Sequence, residues 1–76
     1  MNIKDITPGM RVAYVPRHAK GDITHPDVGH GTVYSCSKRY AFVKFDRDIK
    51  NLGWEGATSQ ACDPLDLVKS YREREN

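Results

Sequence analysis

The chain has 76 residues, 38% of them hydrophobic and 29% charged, and its 12 basic and 10 acidic side chains give a formal net charge of +2. This length predicts one domain with a small core, and the clustering of its hydrophobic residues excludes a wholly disordered chain. No apolar run reaches the roughly 20 residues of a membrane span and the first residues lack the apolar segment of a secretory signal, so we expect a cytosolic protein. Most basic residues have an acidic neighbour, so the charge pattern does not by itself indicate binding to nucleic-acid backbone.

The first predicted strand is Met10–Val15, preceded by a lead-in over Ile3–Gly9. Pro16 ends this strand, because proline lacks the amide N–H that a sheet ladder requires. The polar segment Pro16–Gly31 follows and holds all three histidines of the chain. A hairpin needs a loop of only about 2–5 residues. A loop that is longer and rich in polar groups is therefore the first place to look for binding.

Two further strands are predicted at Gly31–Cys36 and Tyr40–Phe45, where β-branched and aromatic residues are frequent. The short turn between them predicts an antiparallel hairpin. The next segment, Asp46–Ala57, contains two glycines and is predicted to be irregular, with no amphipathic helix of useful length.

The C-terminal part of the chain predicts two more short strands. Thr58–Cys62 is the first, and a single helical turn leads into the second, which ends near Val68. Asp63 suits the N-cap of that turn and Pro64 its first position. Residues 1–70 are therefore predicted to form a single β-barrel domain, and residues 71–76 a charged, flexible tail.

Five short strands joined by tight turns favour a small barrel, because closure protects the edge strands. The order of short motifs along the chain resembles that of Src-homology-3-like barrels of the KOW and Tudor kind. These motifs are Ile6-x-Pro8-Gly9-x-Arg11-Val12, Gly31-x-Val33, Phe42-Val43-Lys44-Phe45 and Pro64-x-Asp66-Leu67. The resemblance implies an all-β, five-stranded Src-homology-3-like barrel with a long loop after the first strand.

A narrower resemblance is carried by the run from Val12 to Asp27 and by Thr58–Cys62. Together these segments resemble small accessory proteins encoded by tailed bacteriophages and prophages. Such accessory proteins include non-enzymatic ones that sequester nucleotide immune signals of the host. The resemblance therefore implies an anti-defence role in the host cytosol, with a nucleotide as ligand.

The side chains of the long loop suit a small anionic ligand. Arginine, lysine and histidine supply cationic or donor groups, glycines let a ligand approach the backbone, and a tryptophan can stack on a base. The candidate ligand-binding residues are Arg17, His18, Lys20, Gly21, Asp22, His25, Asp27, Trp54, Thr58, Ser59 and Gln60. This site requires the loop to lie beside segment 53–60, and a homo-oligomer would enlarge it. The alternative is that the loop groups only satisfy their own backbone.

A second binding mode is nucleic acid, or the transcription or translation machinery, bound by a basic aromatic hairpin. The residues of this mode are Lys38, Arg39, Tyr40 and Lys44, with Arg47 and Lys50 nearby. A host protein is a further candidate partner.

Catalysis and cofactor binding are not predicted. No nucleophile motif or phosphate-binding glycine motif is present, and the histidine spacings H-x6-H and H-x4-H match no zinc signature. We therefore expect no enzyme activity, no cofactor and no metal. Cys36 and Cys62 are predicted to be buried, reduced thiols.

Overall fold

A computed structural model describes residues 1–71. Five strands form one antiparallel sheet that is curled into a half-barrel. They are β1 (Arg11–Tyr14), β2 (Gly29–Cys36), β3 (Ala41–Phe45), β4 (Gln60–Cys62) and β5 (Leu67–Lys69). Their spatial order is β4-β3-β2-β1-β5. The predicted set of five strands is confirmed, whereas β1 is shorter and β2 longer than predicted.

The core lies on one face of this sheet. Its largest fully buried side chains are Val12, Val33, Val43 and Leu67, which come from four of the five strands. Val33 and Val43 are direct cross-strand partners in the β2–β3 pair. Burial of these branched side chains on a pleated surface is what the alternating pattern of the strands predicts.

The β1–β2 loop spans residues 15–28 and is built from consecutive tight turns. Arg17–Ala19 forms a single 3-10 turn, after which Lys20 and Gly21 both adopt positive φ angles of 52° and 79° and turn the chain back. Ala19 is buried, and the amide of Val15 donates to the carbonyl of Asp66 at 2.8 Å. These contacts fix the beginning of the loop against the body of the sheet.

A helix, α1 (Asp46–Gly56), replaces the predicted irregular segment. The prediction of no useful helix was wrong, and so was the all-β class. Two aspartates in the first turn favour a helix start through the helix dipole, and α1 remains helical up to Gly53, whose φ of 76° makes a kink. No helix within residues 1–71 has the length and hydropathy needed to cross a membrane.

The approach to β5 confirms one detail of the sequence prediction. Pro64–Asp66 forms a 3-10 turn, and the carboxylate of Asp63 caps it by accepting a hydrogen bond from the Leu65 amide at 2.9 Å. The part of the predicted charged tail at residues 72–76 lies outside the described residues.

The two cysteines are free, and only one is buried. Cys36 is exposed at the end of β2, beside the hairpin turn, so its predicted burial was wrong; Cys62 is buried as predicted. Ala41 pairs with Cys36 on one side and with Cys62 on the other. The two cysteines are therefore two strand spacings apart, about 9–10 Å. A disulfide needs Cα atoms within about 4.4–6.8 Å, so this fold does not join them.

This placement predicts unequal thiol reactivity. Burial raises the pKa of the Cys62 thiol, which lowers its thiolate fraction near pH 8. We expect Cys36 to be alkylated by iodoacetamide on the order of tenfold faster than Cys62 in the folded protein. Peptide mass spectrometry over a time course measures both rates, and urea should abolish the difference. Equal rates in the native protein would contradict the burial of Cys62.

Candidate functional site

An open groove of about 510 Å³ separates the second half of the β1–β2 loop from the beginning of α1. Its lining residues are Pro26, Asp27, Val28, Gly29, His30, Phe45, Asp46, Arg47 and Lys50. Sites for small molecules commonly have volumes of about 300–1,000 Å³. The groove therefore has the size of a site for a ligand no larger than a nucleotide.

The charges in the groove favour an anion. The carboxylate of Asp46 is held by a bidentate pair with Arg11, whose two guanidinium nitrogens donate to it at 2.6 Å. Asp27 is hydrogen-bonded to His18. Arg47 and Lys50 are exposed, and neither forms an ion pair within residues 1–71. Two cationic groups therefore remain available to a ligand, whereas both carboxylates are engaged.

An apolar part of the groove comes from Pro26, Val28 and Phe45. The ring of Phe45 packs edge-on against Tyr14, with centroids 6.5 Å apart. It also lies directly over Gly29, where a Cβ would come within 3.1 Å of the ring carbon Cδ1. Glycine at position 29 therefore permits the aromatic side chain to close down on the start of β2.

Three loop residues form a histidine cluster, defined as His18, His25 and Asp27. His18 Nε2 lies 2.7 Å from Asp27 Oδ2, and His25 Nδ1 lies 4.0 Å from the same oxygen. The amide of Asp27 donates to His25 Nδ1 at 3.0 Å. The two imidazole rings meet edge to face, with centroids 5.2 Å apart. The fold therefore brings together three of the predicted site residues, and Asp27 belongs to both the cluster and the groove.

Asp22 serves the loop itself. Its carboxylate accepts hydrogen bonds from the hydroxyl of Thr24 at 2.6 Å and from the Thr24 amide at 2.9 Å. These hydrogen bonds, the hydroxyl first, lower the pKa of Asp22 below its ordinary value. For this residue the structure fits the alternative in which the loop satisfies its own backbone.

Three further predicted site residues of the loop, Arg17, Lys20 and Gly21, lie outside the groove. Arg17 is highly exposed and pairs with Asp66 at 3.5 Å, an arrangement that contributes little stability at a surface. Lys20 and Gly21 supply the two positive φ angles of the turn. None of these three lines the groove.

The predicted segment 53–60 is not part of the groove. Trp54 packs instead against Tyr34 and Lys44. We call these three residues the aromatic–lysine cluster. The Lys44 ammonium lies 4.5 Å from the ring centroid of Tyr34 and 4.6 Å from that of Trp54, and it donates to the Trp54 carbonyl at 2.6 Å. A bulge in β2 places Tyr34 outside the regular β2–β3 register. Thr58, Ser59 and Gln60 lie at or just before β4, an edge strand that β3 separates from β2.

The residues of the alternative basic site are divided between two places. Lys38, Arg39 and Tyr40 are exposed at the turn between β2 and β3. The hydroxyl of Ser37 accepts hydrogen bonds from the amides of Arg39 and Tyr40 and so shapes this turn. Lys44 is only 6% exposed, because Tyr34 and Trp54 cover it, so it does not extend the basic surface of the turn.

Most of the groove was not predicted from the sequence. Arg47 and Lys50 were expected beside the basic hairpin, and Val28, His30 and Phe45 were not predicted as ligand contacts. The i, i+3 spacing of Arg47 and Lys50 places them on one face of a helix. This spacing indicates a shared cationic face only if residues 46–52 are helical, and the sequence did not predict a helix there.

Comparison with protein-family models, with curated proteins and with solved structures finds no match to this chain. The functional interpretation therefore rests on the groove, the histidine cluster and the exposed turn at residues 37–40.

Proposed function

We propose that the protein binds a small anionic ligand in the groove between the β1–β2 loop and α1, and that it acts by holding this ligand rather than by transforming it. The observation that carries the proposal is the joint presence of two exposed cations and an aromatic side chain around a volume of about 510 Å³. The groove residues include no serine, threonine or cysteine, and both carboxylates are already hydrogen-bonded to Arg11 and His18, which favours binding over covalent chemistry.

The spacing of the two cations suits a phosphate group. Residues three apart on a helix have Cβ atoms about 5–6 Å apart. Arg47 and Lys50 can therefore contact one phosphate together, the guanidinium through paired hydrogen bonds and the ammonium as a point charge. His30 lies at the opposite side of the groove, where its Nδ1 is hydrogen-bonded to the hydroxyl of Ser70 at 2.8 Å.

The apolar part of the groove favours a phosphate carried by a planar group. A base can stack on an aromatic ring such as Phe45 and contact the side chains of Pro26 and Val28. A nucleotide meets both requirements. The resemblance to small phage proteins makes cyclic mononucleotides the first ligands to test, with sequestration of an immune signal in the host cytoplasm as the biological role. A cyclic dinucleotide would need the site to be enlarged by a second copy of the chain.

The topology supports the finer fold assignment included in this proposal. The order β4-β3-β2-β1-β5, a long β1–β2 loop and a 3-10 turn before the last strand fit a Src-homology-3-like barrel. In this interpretation α1 is an insertion between the third and fourth strands, and it supplies one wall of the ligand site.

The test is a titration with nucleotides, followed by native mass spectrometry and by chemical shifts of ¹⁵N-labelled protein. We expect a stoichiometric complex with at least one member of a panel of mono-, di- and cyclic nucleotides, with shifts concentrated at residues 26–30 and 45–50. The double variant Arg47→Glu/Lys50→Glu should bind at least about tenfold more weakly, because each reversal replaces an attraction to phosphate by a repulsion. Both positions are exposed, so the fold should persist.

The matched control is Lys38→Glu/Arg39→Glu, which changes the net charge by the same amount at the exposed turn. Its nucleotide affinity should stay within about twofold of the wild type at 0.15 M salt, where surface charges more than about 8 Å away are largely screened. If the wild type binds no nucleotide of the panel but binds single-stranded nucleic acid, and this control loses that binding while the groove variant keeps it, the basic turn is the functional surface and the groove proposal fails.

A further inference from the structure

We propose that His18, His25 and Asp27 form a binding site for a divalent transition-metal ion of the Zn²⁺ type. One atom from each of these side chains lies within 4.8 Å of the others. A tetrahedral ion with bonds of about 2.0–2.2 Å places its ligand atoms roughly 3.3–3.6 Å apart. His18 and Asp27 are exposed and His25 is partly buried, so side-chain rotations within the loop would have to close the remaining gap.

Asp27 Oδ2 is the centre of the arrangement. It lies 2.7 Å from His18 Nε2 and 4.0 Å from His25 Nδ1, so one carboxylate oxygen faces two imidazole nitrogens. In the His18–Asp27 hydrogen bond a proton occupies the space between nitrogen and oxygen. A metal ion would take the place of this proton and would draw His25 into the same coordination sphere. The amide of Asp27, which now donates to His25 Nδ1, lies on an exposed residue and can be hydrated instead.

The donor atoms select the class of metal. Two imidazoles and one carboxylate suit zinc and its neighbours in the first transition row, whereas Mg²⁺ and Ca²⁺ prefer shells made of oxygen. Three protein ligands leave at least one coordination position for water or for another ligand. The site is therefore of the open kind rather than a closed structural site.

The loop brings these ligands together although their sequence spacing matches no zinc signature. His18 lies on the 3-10 turn, and the positive φ angles of Lys20 and Gly21 turn the chain back so that residues 25–27 face it. Buried Ala19 fixes the turn that carries His18, and Pro26 restricts the backbone between the other two ligands. The site is thus partly formed before any metal arrives.

The metal site does not depend on the proposed function, because the phosphate contacts are assigned to Arg47 and Lys50 and because metal binding has its own test. The two sites are nevertheless neighbours, since Asp27 also lines the groove. A bound metal would add positive charge at the edge of the groove, where a phosphate is proposed to bind.

The test uses the full chain without a histidine tag, stripped with EDTA and then titrated with ZnCl₂ by calorimetry. We expect one ion per chain. Titration with Co²⁺ should give absorption bands of a site with nitrogen and oxygen ligands and no thiolate. His18→Ala, His25→Ala and Asp27→Asn should each weaken binding by about 100-fold or more, since the loss of a mere supporting residue around a metal costs about 10–100-fold.

His30→Gln is the matched control, because it removes the one histidine outside the cluster and should leave Zn²⁺ affinity within about threefold. As a measurement that needs no variant, Zn²⁺ should shift the imidazole ¹⁵N signals of His18 and His25 but not those of His30. The proposal is overturned if the wild type binds no stoichiometric Zn²⁺, if all three ligand variants keep full affinity, or if the shifts occur at His30. Any of these results leaves the cluster as a set of hydrogen bonds that only holds the loop.

Discussion

Replacing Gly31 by alanine is expected to lower the free energy of unfolding by about 3 kcal/mol or more. A Cβ at this position would lie 2.6 Å from Val43 Cγ1 and 2.7 Å from the carbonyl oxygen of Lys44. Val43 is fully buried, so its methyl has little room to move, and the carbonyl belongs to β3 and cannot move without breaking the β2–β3 pairing. A domain of this size has only about 4–11 kcal/mol to lose.

Urea denaturation followed by far-UV circular dichroism measures this loss. Gly56→Ala is the matched control, because it makes the same chemical change at an exposed residue of α1 with no positive φ angle. The nearest atom to its Cβ is Leu52 Cβ at 3.2 Å, a contact that a shift of a few tenths of an ångström relieves at this exposed end of α1. We expect this control to change stability by less than about 1 kcal/mol. Equal stabilities of the two variants would show that β2 and β3 do not approach as closely as described.

The sheet was predictable because its signals are local. Alternation and β-branched residues mark β1, β2 and β3 in the sequence, and the short turn between β2 and β3 specifies the hairpin. The capped turn after Asp63 was also predictable, since an aspartate followed by proline has a defined role at the start of a helical turn.

Helix α1 was not predictable by the same reasoning. Its regular part ends at Gly53, so only about two turns precede the kink, and two glycines within four residues read as loop signals. Tertiary contacts decide the outcome instead. Arg11 of β1 holds Asp46 through two hydrogen bonds and so fixes the start of the helix against the sheet. Arg11 and Asp46 are 35 positions apart in the chain, so the pattern within a short stretch of sequence does not show that they are in contact.

The same limit applies to the candidate site. The polarity of the β1–β2 loop predicts where a ligand can bind, but not which element forms the opposite wall. Phe45 and the beginning of α1 form that wall, rather than segment 53–60. The reason is the β2–β3 pairing, in which Phe45 is the partner of Gly31, so that β3 ends beside the start of β2. The approach of His18 to Asp27 likewise depends on the backbone at Lys20, a non-glycine residue with a positive φ angle, which no composition rule predicts.

Lys44→Met is expected to lower the free energy of unfolding by about 2 kcal/mol, which in a domain of this size lowers Tm by roughly 8–16 °C. The Lys44 ammonium is buried between two aromatic rings and donates to the Trp54 carbonyl at 2.6 Å. Methionine keeps much of the volume but neither the hydrogen bond nor the cation–π contacts. Part of this loss is offset, because the variant no longer has to bury a charge.

Trp54 is the only tryptophan of the chain, so its fluorescence reports on the aromatic–lysine cluster directly. In Lys44→Met we expect the native emission spectrum to change, since the cation beside the indole is gone. Lys44→Arg is the matched control: it keeps a charged donor that can stack on aromatic rings, and it should lose less stability than Lys44→Met. If the methionine variant is as stable as the wild type, apolar packing alone holds α1 to β3 at this point. If the arginine variant loses as much as the methionine variant, the compact shape of the ammonium is what the site requires, rather than its charge.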